Sequence, residues 1–145
     1  MELRPLDASH DALLLSLQEQ DDVWEFVGAL PDRGEGEGEG DPHRLFAVME
    51  GQVAVGIGGL VRSQALDGND LEVLCAMRSD AQRRGLAQRA CQLILAWAFD
   101  TAKVERVIAC IDDDNEGARS IATKLGMQEL CAMPPSRTVY VKYRD

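Results

Sequence analysis

The chain has 145 residues, 46% of them apolar, and its 25 acidic side chains against 15 basic ones leave a net charge of −10. That length suits a single domain over residues 1–145 with a core that needs neither disulfides nor metals. The charge argues against nucleic acid as a partner, since phosphate binding needs clustered positive charge, and it favours a cationic partner instead.

No apolar run approaches the ~18 residues of a membrane span, and none reads as a signal peptide. Cys75, Cys91, Cys110 and Cys131 are widely spaced, and three of them sit in apolar segments. This is the pattern of buried thiols in a reducing, cytoplasmic setting. No Cys-x-x-Cys pair occurs and His10 and His43 stand apart, so no metal site is expected.

Glu2 to Leu6 reads as a short strand, with Pro5 marking a sheet edge. Asp7 or Ser9 can cap a first helix carrying Leu13, Leu14 and Leu17 on one face. A second helix starts at Asp21 or Asp22, where Val23, Phe26, Val27 and Leu30 follow helical spacing and Pro31 closes the run. Residues 34–40 alternate glycine with glutamate, and with their flanks they define an acidic loop at about 33–42 that offers nothing to a core. It is either a mobile surface connection or a border of the site that concentrates cationic substrates.

Residues 45–49 and 53–57 form a hairpin around Glu50, Gly51 and Gln52, and Gly56, Gly58 and Gly59 point to a bulge or a close backbone approach. Leu71 to Met77 is a short, nearly continuous apolar run, the mark of a strand covered on both faces. It turns at Asp80 into Gln82, Arg83, Arg84, Gly85, Leu86 and Ala87, which open a strongly helical segment over 86–99. A strand ending in such a loop aims the first unpaired N–H groups of the helix past the strand end, where an anion can bind. Gly85 permits close approach and Arg83 and Arg84 add charge, although the same tract also fits a solvated turn.

Arg106 to Ile111 is the next strand, so strand, helix and strand make a right-handed parallel crossover with the glycine loop at the carboxyl ends, where ligands of open α/β sheets bind. Asn115 then caps a helix carrying Ala118, Ile121, Ala122 and Leu125, with Gly126 as its stop. Residues 128–133 and 138–143 read as two last strands parted by Pro134 and Pro135.

Taken together, Gln82, Gly85 and Ala87 resemble the acetyl-CoA signature of the GCN5-related N-acetyltransferase (GNAT) family, which is Gln or Arg, two residues, Gly, one residue, then Gly or Ala. Asp114 and Asn115, with Lys124, Leu125 and Gly126, resemble that family's second hallmark, and the pattern is closest to the branch of ribosomal-protein N-terminal acetyltransferases. The resemblance implies an α/β mixed sheet of the GNAT-like acyl-CoA N-acyltransferase fold: strand, two helices, three strands, helix, strand, helix, two strands, with the parallel fourth and fifth strands splayed.

It further implies that acetyl-CoA is the co-substrate. Met77 and Arg78 would meet its pantetheine arm by main-chain contacts. The signature residue Gln82 and the amides of Arg83, Arg84, Gly85, Leu86, Ala87 and Gln88 would hold the pyrophosphate, and Asn115 would reach the cofactor across the splay. Glu72, which matches a glutamate common at this strand in that branch, is the candidate base, acting through water; the other reading is that it pairs with a neighbouring strand's cation. Two positions depart from the family pattern, since Ala122 stands where a tyrosine often protonates the leaving thiolate and Ala118 where serine is frequent.

The activity implied is N-acetylation of a primary amine, either a protein or peptide N-terminus or a small polyamine-like or aminoglycoside-like amine, by a monomer or homodimer. The alternative is a non-catalytic acyl-CoA-binding or regulatory module. A P-loop or dinucleotide fold is disfavoured because neither the Gly-Lys-Ser/Thr ending nor the three-glycine fingerprint is present.

Overall fold

A computed structural model of the chain describes residues 1–6, 44–63, 66, 70–78 and 85–145. The two helices expected after the first strand, the acidic loop, and Gln82, Arg83 and Arg84 lie outside the described residues. Seven strands are described: β1 (Glu2–Pro5), β2 (Arg44–Glu50), β3 (Val53–Arg62), β4 (Leu71–Met77), β5 (Arg106–Asp112), β6 (Gln128–Met133) and β7 (Arg137–Tyr143). Two α-helices accompany them, α1 (Leu86–Ala96) between β4 and β5 and α2 (Glu116–Lys124) between β5 and β6. They form one sheet in the order β1-β2-β3-β4-β5-β7-β6, antiparallel throughout except for β4 and β5.

The fold expected from the sequence is therefore present, with three local differences. The strand expected over 53–57 continues to Arg62, because Gly58 and Gly59 stay in register opposite Phe46 and Leu45 instead of ending it. Those glycines allow close approach: a Cβ at Gly58 would lie 2.7 Å from Ile94 Cδ1, and one at Gly59 would run into the Arg44 carbonyl oxygen. The helix expected to reach Phe99 is α-helical only to Ala96, and Trp97–Thr101 form a π-helical turn in which the Ala102 N–H donates to the Trp97 carbonyl at 2.9 Å. Cys131 is exposed, unlike the buried thiol expected, because β6 is an edge strand with little packed on either side.

The ends of α2 follow from its sequence. Asn115 Oδ1 accepts the Ala118 N–H at 3.1 Å, and Gly126, at φ 84°, closes the helix. The Gly126 and Met127 N–H groups return to the Thr123 and Ala122 carbonyls, which satisfies the last-turn acceptors.

Side-chain alternation divides the sheet into two faces. Leu60, Leu71, Val107, Ala109, Ile111 and Tyr140 pack against Ile94 and Leu95 of α1 and Leu125 beside α2. Ile108, Val139 and Val141 form a second cluster on the other face, with Cys110 and Met133 against it. Both faces are thus apolar at the centre, which accounts for the unbroken apolar runs of the inner strands.

Candidate functional site

The site begins where the sheet stops being one sheet. β4 pairs with β3 along its whole length and β5 does the same with β7, but β4 and β5 pair only at Leu71 with Val107 and Glu72 with Ile108. Beyond Glu72 the two halves part and leave a fork that opens toward the carboxyl ends of both parallel strands. Its root is pinned by Asp70, which is 7% exposed and accepts a two-pronged ion pair from Arg106, Nε to Oδ1 at 2.6 Å and an Nη to Oδ2 at 2.9 Å. Asp70 also accepts the Ser63 N–H through its main-chain carbonyl at 2.9 Å, so β3, β4 and β5 meet there. The Arg106 pKa is raised by its bond to Asp70 and then by Tyr143, so the pin holds its charge at any working pH.

The phase of β4 decides what faces the fork. The Arg78 N–H donates to the Val55 carbonyl at 2.8 Å, and the Leu74 and Ala76 carbonyls lie against β3. In an antiparallel pair the bonded residues alternate, so the backbone groups of Val73, Cys75 and Met77 are turned the other way, toward the fork. Of the two residues expected to offer main-chain contacts to a cofactor, Met77 is turned that way, whereas Arg78 commits its N–H to β3.

At the mouth stands the N-terminus of α1. Gly85 occupies its N-cap position at φ 73°, a left-handed conformation that costs other residues roughly 1–2 kcal/mol. Among the described residues no side chain caps the helix, and no acidic residue lies in its first turn. The first intrahelical bond at this end runs from the Arg89 N–H to the Gly85 carbonyl at 3.2 Å, which leaves the amides of Leu86, Ala87 and Gln88 directed outward. A Cβ on Gly85 would meet none of the described residues within 4 Å. Open backbone donors with a positive dipole end suit a diphosphate.

Across the fork, Asn115 caps α2 as described. Its Oδ1 is committed to that cap, and its Nδ2 is the part of the side chain able to donate to a ligand. Ala122 is buried in the core between sheet and helices, so no hydroxyl occupies that position.

Glu72 lies on the sheet face opposite the two helices, at the point where β4 and β5 separate. Along that face the charges sort into pairs: Asp70 with Arg106 at the root and Asp112 with Arg137 at 2.8 Å near the mouth. Glu72 stands between them, and no ion pair holds it among the described residues. Among the described residues no cation is therefore paired with Glu72.

Sequence reasoning missed Cys110 beside it. Burial, followed by the nearby Glu72 carboxylate, pushes the pKa of this half-buried thiol up to about 12. Alternation in β5 was the available signal, since Ile108, Cys110 and Asp112 must share the face that Val107, Ala109 and Ile111 leave. On the helix side, the Cys75 thiol is pushed up by its hydrogen bond to Cys91 and by burial, which makes it a poor nucleophile.

Among the described residues no group of three or more His, Cys, Asp or Glu side chains is arranged to hold a metal, and no helix is long and apolar enough to cross a membrane. A separate cavity of about 420 Å³ beside α2, lined by Arg119, Glu129 and Tyr140 among others, includes none of the fork residues.

Several solved structures share this architecture. Spermidine N-acetyltransferase from Vibrio cholerae, solved with CoA and spermine, superposes with a TM-score of 0.79 at 13% identity, over 99% of this chain and 95% of that one. The aminoglycoside acetyltransferase AAC(6')-Ib, solved with coenzyme A, gives 0.75 at 14% identity, over 98% and 94%. Ribosomal-protein-S5-alanine acetyltransferase from Vibrio fischeri gives 0.54 at 17% identity, over 63% of this chain and 55% of that one. At such identities the likeness is one of fold. No curated protein sequence matches. The model of the acetyltransferase (GNAT) domain, however, matches residues 1–128, nearly the whole chain and all of the fork, and the protein therefore belongs to the GNAT acetyltransferase family.

Proposed function

We propose that this protein is an acetyl-CoA-dependent N-acetyltransferase whose fork receives the cofactor and whose acceptor is a primary amine. The observation that carries the proposal is the fork itself: a β4 edge that loses β5 after Glu72, ending beside a helix N-terminus that no described side chain caps. In this reading the edge from Val73 to Met77 takes the pantetheine arm as an added strand. Gln82, Arg83, Arg84, Gly85, Leu86, Ala87 and Gln88 hold the diphosphate, and Asn115 Nδ2 donates from the far side. Arg78 contributes through its carbonyl or side chain, its N–H being engaged with Val55. When bound, the cofactor supplies an acyl group activated as a thioester.

The protein's own part is modest. Glu72 takes a proton from the incoming ammonium or amine, directly or through a water; among the described residues no ion pair holds its carboxylate. Amides on the unpaired β4 edge face the position where an oxyanion develops. The thiolate departs without help from position 122, which a thiol pKa near ~8.5 allows. The acceptor is an N-terminal or peptide amine in the manner of the ribosomal-protein branch, or a small amine such as the polyamine that the Vibrio cholerae protein was solved with.

Turnover of acetyl-CoA against a panel of peptides, polyamines and aminoglycosides tests this, with free CoA as the readout. A second reading, a non-catalytic acyl-CoA-binding module, is favoured by the one observation that Ala122 supplies no acid. Binding of acetyl-CoA with no turnover of any amine would select it.

A further inference from the structure

We propose that a cavity at the root end of the molecule, away from the fork mouth, binds a small organic anion. Its charged head, a phosphate or a carboxylate, meets a set of lysines, and its apolar body lies on the helices. The cavity has a volume of about 880 Å³ and is lined by the last part of α1 with its π-helical turn, the C-terminal end of α2 and the residues that end the chain. That size is within the range of small-molecule sites, about 300–1,000 Å³.

The sequence has only three lysines, Lys103, Lys124 and Lys142, and all three line this cavity. Elsewhere the chain uses arginine alone for positive charge. With Arg144 the described lining holds four cations against two carboxylates, Asp100 and Asp145, in a chain whose net charge is −10. Leu95, Ala96, Phe99 and Leu125 supply the apolar part of the lining.

Structural duties account for part of this set. Lys142 Nζ donates to the Leu125 carbonyl at 2.7 Å, at the C-terminal end of α2, and keeps two further N–H donors. Arg144 donates to the Lys103 carbonyl at 3.1 Å and to Glu105 at 2.8 Å. The ammonium groups of Lys103 and Lys124 have no polar partner among the described residues. Lys103 is also the one residue other than glycine at positive φ, 59°, among the described residues. It follows the π-helical turn at a place where glycine is usual, because a Cβ is strained there. A lysine kept against that strain has a task for its side chain, and the side chain lines the cavity.

This site does not depend on the reading of the fork. Gln92, the first residue of α1 to line it, lies seven positions past Gly85, roughly 10 Å along the helix, and Phe99 lies roughly 20 Å along. Tyr143, also in the lining, pairs with Arg106 at the root, whereas the mouth lies beside Asp112 at the other end of β5.

The experiment titrates the full chain with phenyl phosphate, benzoate and neutral phenol, with and without saturating acetyl-CoA. It compares the wild type with Lys103→Gly and with the double variant Lys103→Gly/Lys124→Gln. The wild type is expected to bind one or both anions, the tighter of them naming the head, and to bind phenol more weakly by about tenfold or more. Lys103→Gly should melt no lower than the wild type, since the strain is gone and the carbonyl contact to Arg144 is kept. It should nevertheless bind the anion about tenfold more weakly, the scale of one charge-assisted contact, and the double variant more weakly still. Acetyl-CoA should leave these affinities unchanged. Equal affinity of variants and wild type, equal affinity for phenol, or no binding of either anion by the wild type would overturn the proposal. Displacement of the anion by acetyl-CoA would overturn it too, by placing the anion in the fork. An anion held by the wild type and lost by the variants, with no binding of acetyl-CoA, would support this site and count against the proposed function alone.

Discussion

The root and the mouth of the fork are built from the same two strands and treat their polar groups in opposite ways. At the root, Asp70 is buried and its carboxylate and carbonyl are bonded to Arg106 and Ser63. At the mouth, backbone donors of α1 point outward with no acidic residue in the first turn and, among the described residues, no capping side chain. Buried polar groups are ordinarily satisfied within the protein, and helix ends left bare suit a partner from outside. The contrast separates stability from function along one pair of strands, and substitutions at the two ends should fail in different assays.

The largest effect is expected at the dividing point. Glu72→Gln should lower kcat by about 10²–10⁴, the range for a general base, with CoA affinity intact; a loss of CoA binding instead would make Glu72 part of the mouth. Next comes the root. Asp70→Asn leaves Arg106 without its partner, and because that guanidinium is 33% exposed we expect roughly 2 kcal/mol in urea unfolding, less than the about 3–5 of a fully buried pair. An unfolding midpoint equal to that of the wild type would show that the pin contributes nothing. The smallest effect separates two roles of one residue. Asn115→Ala should cost about 1 kcal/mol of stability through the lost cap, whereas Asn115→Ser keeps the cap acceptor and loses the amide donor. Weaker CoA binding in both variants assigns Asn115 to the ligand; weaker binding in neither leaves it a cap alone.

What could be read from the sequence followed local chemistry. The apolar run from Leu71 to Met77, the glycine at 85 and the cap at Asn115 each declare themselves within a few residues, and the order of elements follows from them. The fork came only through the family resemblance, because nothing in β4 or β5 alone says that their pairing ends after two residues. For the same reason Cys110 passed unnoticed beside Glu72: it is 38 positions away in the chain, and only the register brings it near. The phase of β4, which turns Met77 toward the fork and commits the Arg78 N–H to Val55, is set by the register of its pairing with β3, which no local pattern predicts. The π-helical turn after Ala96 is equally silent, since Trp97, Ala98 and Phe99 continue a helical pattern.

The most direct test of the fork as a cofactor site is calorimetric titration with acetyl-CoA of the wild type beside Gly85→Glu, which sets a carboxylate before the bare amides and strains the left-handed position. The account predicts one-to-one binding by the wild type and none by the variant. Equal binding by both would move the cofactor away from this helix end, and binding by neither would contradict the site altogether.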